Sequence, residues 1–464
     1  MCGHLFMNAL LYVCRHDVIT RIKWSGILSV QRQHRQDAQH YLRAVTELGD
    51  TRKIVAHRDV YSQSGMKLVA AGIHITGDLY EHLVRHKMLP SLEMALAIEN
   101  MLDQKAILQD VLELIQKNDK LKKMAGILGG GDRYRRIILA IQLPAPLAFK
   151  LTVAREKYHR IYQHSLRLLI ISIYLAHCDG LDVQDEEWMA TAALFHDIGL
   201  LHIDPALLEP SHVMSAEERR HLYAHPLIAY LLLCEFPELP RQIADAVLEH
   251  HERMDGSGYP RGLHGEKISR YGQILAVAEL AAKVSDAGHP DVPWKKLEMM
   301  LKLNSRRYGQ GFVKHLNIFR DDAGEPSESH NPEPLIAQVN LIAGLFENFN
   351  QHSAPAQRDK IFDYAQTRLA MLRLSLFEAG FDPRDPEKLI QLFADDPDSM
   401  TEYAPLLDET LWRFKSLMQE ISRLWPEESN KDDCGSEKLE RAWLSEMKLL
   451  LLNEPQAGRA RAKM

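Results

Sequence analysis

The sequence predicts a mainly α-helical protein, on three observations. Apolar residues recur at helical spacing through most of the chain, as in "IYQHSLRLLIISIYLAHC", where Ile161, Leu168, Ile171 and Leu175 share one stripe. Runs of β-branched residues are short and gather in one stretch, "RKIVAHRDVYSQSGMKLVAAGIHIT", residues 52–76. Two polar breaks, "GGGD" at 129–132 and "DDAGEPSESHNPEP" at 321–334, separate helical blocks. The chain is therefore expected to have three parts. These are a small α+β accessory domain over 1–140, a central helical domain over 150–315 and an all-helical module over 335–464.

In the first part, the run "LFMNALLYV" is too short to cross a membrane and no basic region precedes it, so it is not taken as a signal peptide. Arg15, Arg21, Lys23, Arg32, Arg35 and Arg43 read as a solvated face. Residues 52–76 predict a hairpin turning at Ser64-Gly65. "GDLYEHLVRHKML" and the segment from Pro90 to about Met124 predict helices. In the last part, "PLIAQVNLIAGLFENFN", "DKIFDYAQTRLAMLRLSLFEAG" and "LERAWLSEMKLLLL" predict helices, with a loop at "PEESNKDDCGSE" (426–437).

Composition narrows the class. In 464 residues, 46% are hydrophobic and 26% charged, ordinary values for a globular chain, and the formal net charge of −7 argues against wholesale binding of nucleic-acid polymers. The five cysteines, Cys2, Cys14, Cys178, Cys234 and Cys434, are scattered and show no CxxC spacing, as expected of free thiols in a reducing cytoplasm. No other stretch approaches a membrane span. The 23 histidines are more informative, because many crowd between residues 159 and 264.

His164 lies on the apolar stripe of its helix. A lone histidine there is as a rule a satisfied core residue. "DEEWMATAALFHDIGLLH" opens on acids, as the helix dipole prefers, and ends on His196-Asp197 before Gly199. That pair is either a helix cap or a nitrogen ligand beside a carboxylate able to bridge two cations. "SAEERRHLYAHP" carries a capping box at Ser215 and Glu218. It sets His221 and His225 one turn apart, His221 solvated and His225 facing the apolar "LIAYLLL". "RQIADAVLEHH" puts His250 on the stripe of Ile243 and Val247, with His251 adjacent. Glu279 stands in the apolar run "YGQILAVAEL", where a carboxylate is costly unless paired or bound to a cation. Nitrogen and oxygen donors without thiolate suit iron, manganese or zinc, and seven ligands are too many for one ion.

The series His164, His196-Asp197-Ile-Gly, His225-Pro and His250-His251-Glu, followed by "DGSGYPRGL", resembles the HD-GYP branch of the HD phosphohydrolase superfamily over roughly residues 150–315. "HHERMDGSGYPRGLHGEKI" is the most specific part of the match. The resemblance implies an all-helical bundle around two divalent transition-metal ions, iron or manganese. His164, His196, Asp197 and Glu279 would hold one ion. His225, His250 and His251 would hold the other, with Asp197 bridging. His196 and Asp197 become the catalytic candidates. Asp255, Gly256, Gly258, Tyr259, Pro260 and Arg261, together with Arg160, become candidates for substrate contact. The family hydrolyses cyclic di-GMP, and a hydroxide shared by the two cations would be the nucleophile.

The sequence departs from the pattern in several places. Leu200 stands where the family has a lysine, Gln273 where an arginine is usual, and Glu279 where an aspartate is usual. Arg160 occupies the place of a third-metal glutamate, which limits the site to two ions. The first expectation is a metal-dependent phosphodiesterase of weak activity. The alternatives are a receptor or docking module for cyclic di-GMP that no longer turns over, and a phosphohydrolase for another nucleotide. A signalling partner would bind through the terminal parts. Leu200 is expected to face the substrate, so that Leu200→Lys would raise turnover at least tenfold.

Overall fold

The computed structural model describes residues 40–41, 43–49, 52–62, 64–84, 88–89, 94–130, 132–209, 212, 214–286, 308, 310–319, 332–353, 360–396, 399–425 and 439–452. The chain divides into two compact units, Met1–Gly288 and His289–Met464. Outside the described residues lie "LFMNALLYV", the basic residues before Arg43, and Cys2, Cys14 and Cys434. So do the loop at 426–437 and residues 321–331 of the second polar break. No single helix among the described residues is long and apolar enough to cross a membrane.

The first unit begins with short strands. β1 (Ile54–Ala56) pairs antiparallel with β5 (Leu96–Ile98), and β2 (Val60–Ser62) pairs with both β3 (Lys67–Val69) and β4 (Met88–Leu89). The β2–β3 hairpin turns where the sequence predicts, with Gly65 at φ +82°. Two expectations are corrected here. The helix predicted over 77–89 stops at Val84, as α1 (Gly77–Val84), and Met88–Leu89 joins β2. The segment predicted helical from Pro90 contributes β5 ahead of the helix that starts at Gln104. Both pieces are too short to show a period, so pairing with a distant strand decides their conformation.

Helices follow: α2 (Gln104–Gln116), α3 (Asp119–Ile127), α4 (Asp132–Ala140), α5 (Ala145–Lys157), α6 (His159–Cys178) and α7 (Val183–Phe195). α6 is apolar nearly all round and is the central helix. It packs against α2, α3, α5 and α7. α7 is capped by Asp182, whose carboxylate accepts from the Asp185 amide, and its acidic first turn suits the dipole. A 3-10 turn at Ile198–His202 leads on to α8 (Ala216–Leu222), α9 (His225–Leu233), α10 (Arg241–Glu249) and α11 (Arg270–Asp286). The capping box at Ser215 and Glu218 forms as expected. His225 does not continue that helix, however, because the chain turns at Tyr223 and Ala224 and His225 opens α9. α11 packs on α6 and α10, and α10 also packs on α7 and α9, so α6, α7, α9, α10 and α11 enclose one interior.

Among the described residues, the second unit holds α12 (Pro332–His352), α13 (Lys360–Glu378), α14 (Pro386–Asp395), α15 (Ser399–Leu424) and α16 (Leu439–Leu452). They close on an aromatic core that includes Phe346, Phe349, Phe362, Phe414 and Trp443. The helical character of this part is as the sequence predicts. α14 and α15 are additional to the three helices read from it.

Candidate metal centre

Five helix segments deliver seven ligand-type side chains to one buried place. His164 comes from the middle of α6, His196 and Asp197 from the end of α7, and His225 from the first residue of α9. His250 and His251 follow α10, and Glu279 comes from α11. All seven are buried. Ligand atoms of Asp197, His225, His250 and His251 lie within 4.8 Å of one another, and so do those of His164, His196 and Asp197. Asp197 belongs to both groups. Its Oδ2 is 3.2 Å from Nε2 of His196, and its Oδ1 is 3.3 Å from Nε2 of His225 and 3.7 Å from Nε2 of His250. Glu279 joins the first group through Oε2, 2.7 Å from Nε2 of His164 and 3.6 Å from Nε2 of His196.

Three of the histidines are held in one pattern. Nδ1 of His196 donates to the Ala193 carbonyl at 2.8 Å, that of His225 to Leu222 at 2.7 Å, and that of His250 to Val247 at 2.6 Å. A carbonyl only accepts, so each Nδ1 carries a proton and each ring turns its Nε2 inward. Nε2 of His225 and Nε2 of His250 face each other at 3.3 Å. Nε2 of His196 is buried without a well-aligned hydrogen bond among the described residues. Burial, with the neighbouring His196 and His225, pushes His250 well below the usual imidazole range and keeps it neutral. Burial pushes Asp197 up, but His196 and His225 outweigh it and hold the carboxyl well below its usual range. Imidazole nitrogens converging on a carboxylate suit cations, and a carbonyl bond at Nδ1 is how metal-bound histidines are oriented. The donor set fits two ions sharing Asp197.

Gly199 makes this approach possible. A Cβ on Gly199 would lie 2.2 Å from the carbonyl oxygen of His225, so only glycine lets the turn after Asp197 pack on the start of α9.

The loop after His251 is built from the same helix end. Glu252, buried, accepts from the amides of Arg261 at 2.7 Å and Leu263 at 2.8 Å. Burial raises the Glu252 carboxyl above its usual range. Glu249 accepts from the Ser269 amide at 2.8 Å and from the Arg261 guanidinium. Asp255 accepts from the Ser257 amide at 3.0 Å and bridges to His264. Gly256 is left-handed at φ +76°, and a Cβ on Gly258 would lie 2.4 Å from Cα of Glu252. The Tyr259–Pro260 peptide is cis. The Tyr259 amide donates to the His251 carbonyl at 3.1 Å, and the Tyr259 ring lies 4.7 Å from the His251 ring, so this tyrosine adjoins the cluster.

Other expected substrate residues stand differently. The guanidinium of Arg261 is engaged by Glu249 inside the loop. Arg160 is 82% exposed, with Glu209 at 4.0 Å. The Gln273 side-chain Nε2 donates to the Ile268 carbonyl at 2.9 Å, across the start of α11. The expectation for Leu200 is corrected. Leu200 is only 8% exposed and packs with Ile203, Leu207 and Ile228, because the 3-10 turn rolls it onto α9. Leu200→Lys is therefore expected to bury an unpaired ammonium and to destabilise the protein by about 2–4 kcal/mol, rather than to speed turnover. Urea denaturation of the variant checks this, and unchanged stability with a tenfold gain in rate would reverse it.

Sequence reasoning missed Glu249, Glu252 as a loop anchor, the close packing at Gly199, and Tyr223. The carboxylates flanking His250-His251 were a usable signal, since a glycine-rich loop presents amides that need acceptors.

The HD domain family matches residues 151–305, the segment that carries the cluster. Residues 151–305 thus carry an HD domain. Among curated relatives, a 3'3'-cGAMP-specific phosphodiesterase of Vibrio cholerae is 32% identical over 117 residues, covering 25% of this chain and 25% of its own length. The cyclic di-GMP phosphodiesterase PdeB of Borreliella burgdorferi is 32% identical over 130 residues, covering 28% of this chain and 34% of its own. The chain thus spans about a third or less of the length of these relatives. A solved HDG"Y"P protein from Bdellovibrio bacteriovorus is 15% identical, covering 57% of this chain and 94% of its own, at a TM-score of 0.32, a likeness too slight to argue from. The HD domain match agrees with the helical fold of this segment.

Proposed function

We propose that the protein is a metal-dependent phosphodiesterase that hydrolyses cyclic di-GMP to the linear dinucleotide, and does so slowly. The observation that carries this reading is the convergence of the Nε2 atoms of His196, His225 and His250 on the buried Asp197. His164, His196, Asp197 and Glu279 would hold one ion and Asp197, His225, His250 and His251 the other, iron or manganese being preferred by the donor set. Two such ions would lower the pKa of a water and neutralise charge on phosphoryl oxygens.

The chain's own residues supply the rest. The carbonyls of Ala193, Leu222 and Val247 fix three ligand rings, so little reorganisation is needed when substrate arrives. Asp197 and His196 lie nearest the reacting centre in this reading. In the reaction a water oxygen bonds to phosphorus, the ring P–O bond breaks and the departing ribose oxygen takes up a proton. Glu252 and Glu249 hold the loop so that Tyr259 forms the wall beside the cluster, where Asp255, Gly256, Gly258 and Pro260 complete the expected pocket. Leu200 carries no charge and the Arg261 guanidinium is engaged by Glu249, so neither supplies free positive charge to a phosphate. That is the reason to expect slow turnover, and it also favours a second reading as a cyclic di-GMP receptor.

The wider organisation belongs to the same proposal. Residues 150–315 would be the catalytic part of a cytoplasmic enzyme, with 1–140 and 335–464 regulatory and open to a signalling partner. The test is calorimetric titration of the metal-loaded protein with cyclic di-GMP, followed by chromatography of the products. Binding with slow appearance of linear dinucleotide is expected. Binding without product would favour the receptor, and no binding at high micromolar ligand would remove the substrate.

A further inference from the structure

Three ligand histidines are fixed by carbonyls three residues earlier in the chain. The structure shows His251 against aromatic rings. Its ring lies 4.7 Å from that of Tyr259, at an interplanar angle of 31°. Tyr259 in turn is stacked with Tyr223, at 4.2 Å and 27°. The series runs Tyr223, Tyr259, His251, and it ends on a candidate ligand. Tyr223 belongs to neither the loop nor α10. It caps α8, its amide donating to the Arg219 carbonyl at 2.9 Å, in the short turn before α9. The residue before it, Leu222, supplies the carbonyl that orients His225. One turn thus touches two ligands of the same group, His225 through a hydrogen bond and His251 through stacked rings.

We propose that Tyr223 is a positioning residue for the ion held by Asp197, His225, His250 and His251, acting through Tyr259 on the His251 ring. This rests on the two-ion reading above. Stacked aromatic pairs have a preferred geometry, so a ring at position 223 limits the tilt open to Tyr259 and hence to His251. The hydroxyl of Tyr223 is not needed for this, whereas the ring is. Removing a group that orients a ligand typically weakens metal affinity 10–100-fold, and a support acting through one intermediate ring belongs at the lower end, about tenfold.

The test is titration of the metal-free full-length protein with cobalt(II), followed by the visible d–d absorption that reports ligand number and geometry. Wild type is compared with Tyr223→Ala, Tyr223→Phe and Tyr223→Leu. In Tyr223→Ala, one of two ions is expected to bind about tenfold more weakly with altered bands, the other unchanged. Tyr223→Phe should match wild type. Tyr223→Leu, which keeps apolar bulk without a ring, should match Tyr223→Ala, and it replaces that variant if the alanine protein does not fold. Wild-type affinity for both ions in the alanine or leucine variant would overturn the proposal, as would equal weakening of both ions. Wild-type protein that takes up fewer than two ions would defeat the two-ion reading itself, and this proposal with it.

Discussion

Replacement of Asp197 by alanine is expected to empty both halves of the metal centre at once. Asp197 is the one side chain common to both ligand groups. Its two oxygens address different histidines, Oδ2 facing His196 and Oδ1 facing His225 and His250. Losing any other ligand should weaken one ion and spare its neighbour. Losing Asp197 removes the carboxylate that faces both histidine groups, so cations bound there would also lose a compensating charge. Elemental analysis should show metal falling from about two ions per chain to well under one, with turnover reduced at least 10²-fold. Asp197→Asn, which keeps the shape and loses the charge, should behave alike. A variant that retained its full metal content would show that the two groups are not joined through this carboxylate.

Gly199→Ala is expected to be strongly destabilising for the addition of a single methyl group. The added Cβ would meet the His225 carbonyl oxygen at 2.2 Å and the Ala229 amide nitrogen at 3.0 Å. Both are backbone atoms, so no side-chain rotation can relieve the contact. Either the turn at Ile198–His202 or the first turn of α9 must move. The turn carries Asp197 at its start and α9 carries His225, so the movement separates two ligands. A loss of about 3–5 kcal/mol is expected by urea denaturation, above the usual cost of overpacking because backbone must shift. Metal content should fall in parallel. Gly126, where an added Cβ meets nothing within 4 Å, provides the control and should tolerate alanine.

The site was legible in the sequence for a physical reason. Each ligand stood at a helix end or on an apolar stripe, where an imidazole or carboxylate is out of place unless something binds it. His196-Asp197 before Gly199 and His250-His251 before the glycine-rich turn carried most of that signal, and the structure brings these residues together with His164, His225 and Glu279. Less could be read where the cause is tertiary. Leu200 looked available because its neighbours Leu201 and Ile203 could pack instead, yet the 3-10 turn buries it against Ile228 as well. Arg261 is expected at the substrate from its place in the motif, and its contact with the buried Glu249, twelve residues earlier, is tertiary and unmarked in the sequence. Met88–Leu89 and Leu96–Ile98 are strands only because β2 and β1 offer edges to them, and runs of two and three residues cannot show a period. Tyr223 had no mark in the sequence, since its role depends on Tyr259 folding back over the helix end.

The most direct test adds manganese or iron(II) stepwise to metal-free protein under anaerobic conditions and follows hydrolysis of cyclic di-GMP at each step. The expected result is no turnover without metal, a rise with each addition, and a plateau at about two equivalents per chain, as a shared-carboxylate pair of sites requires. Hydrolysis independent of added metal, or none at any loading by protein that has taken up both ions, would contradict a two-ion phosphodiesterase.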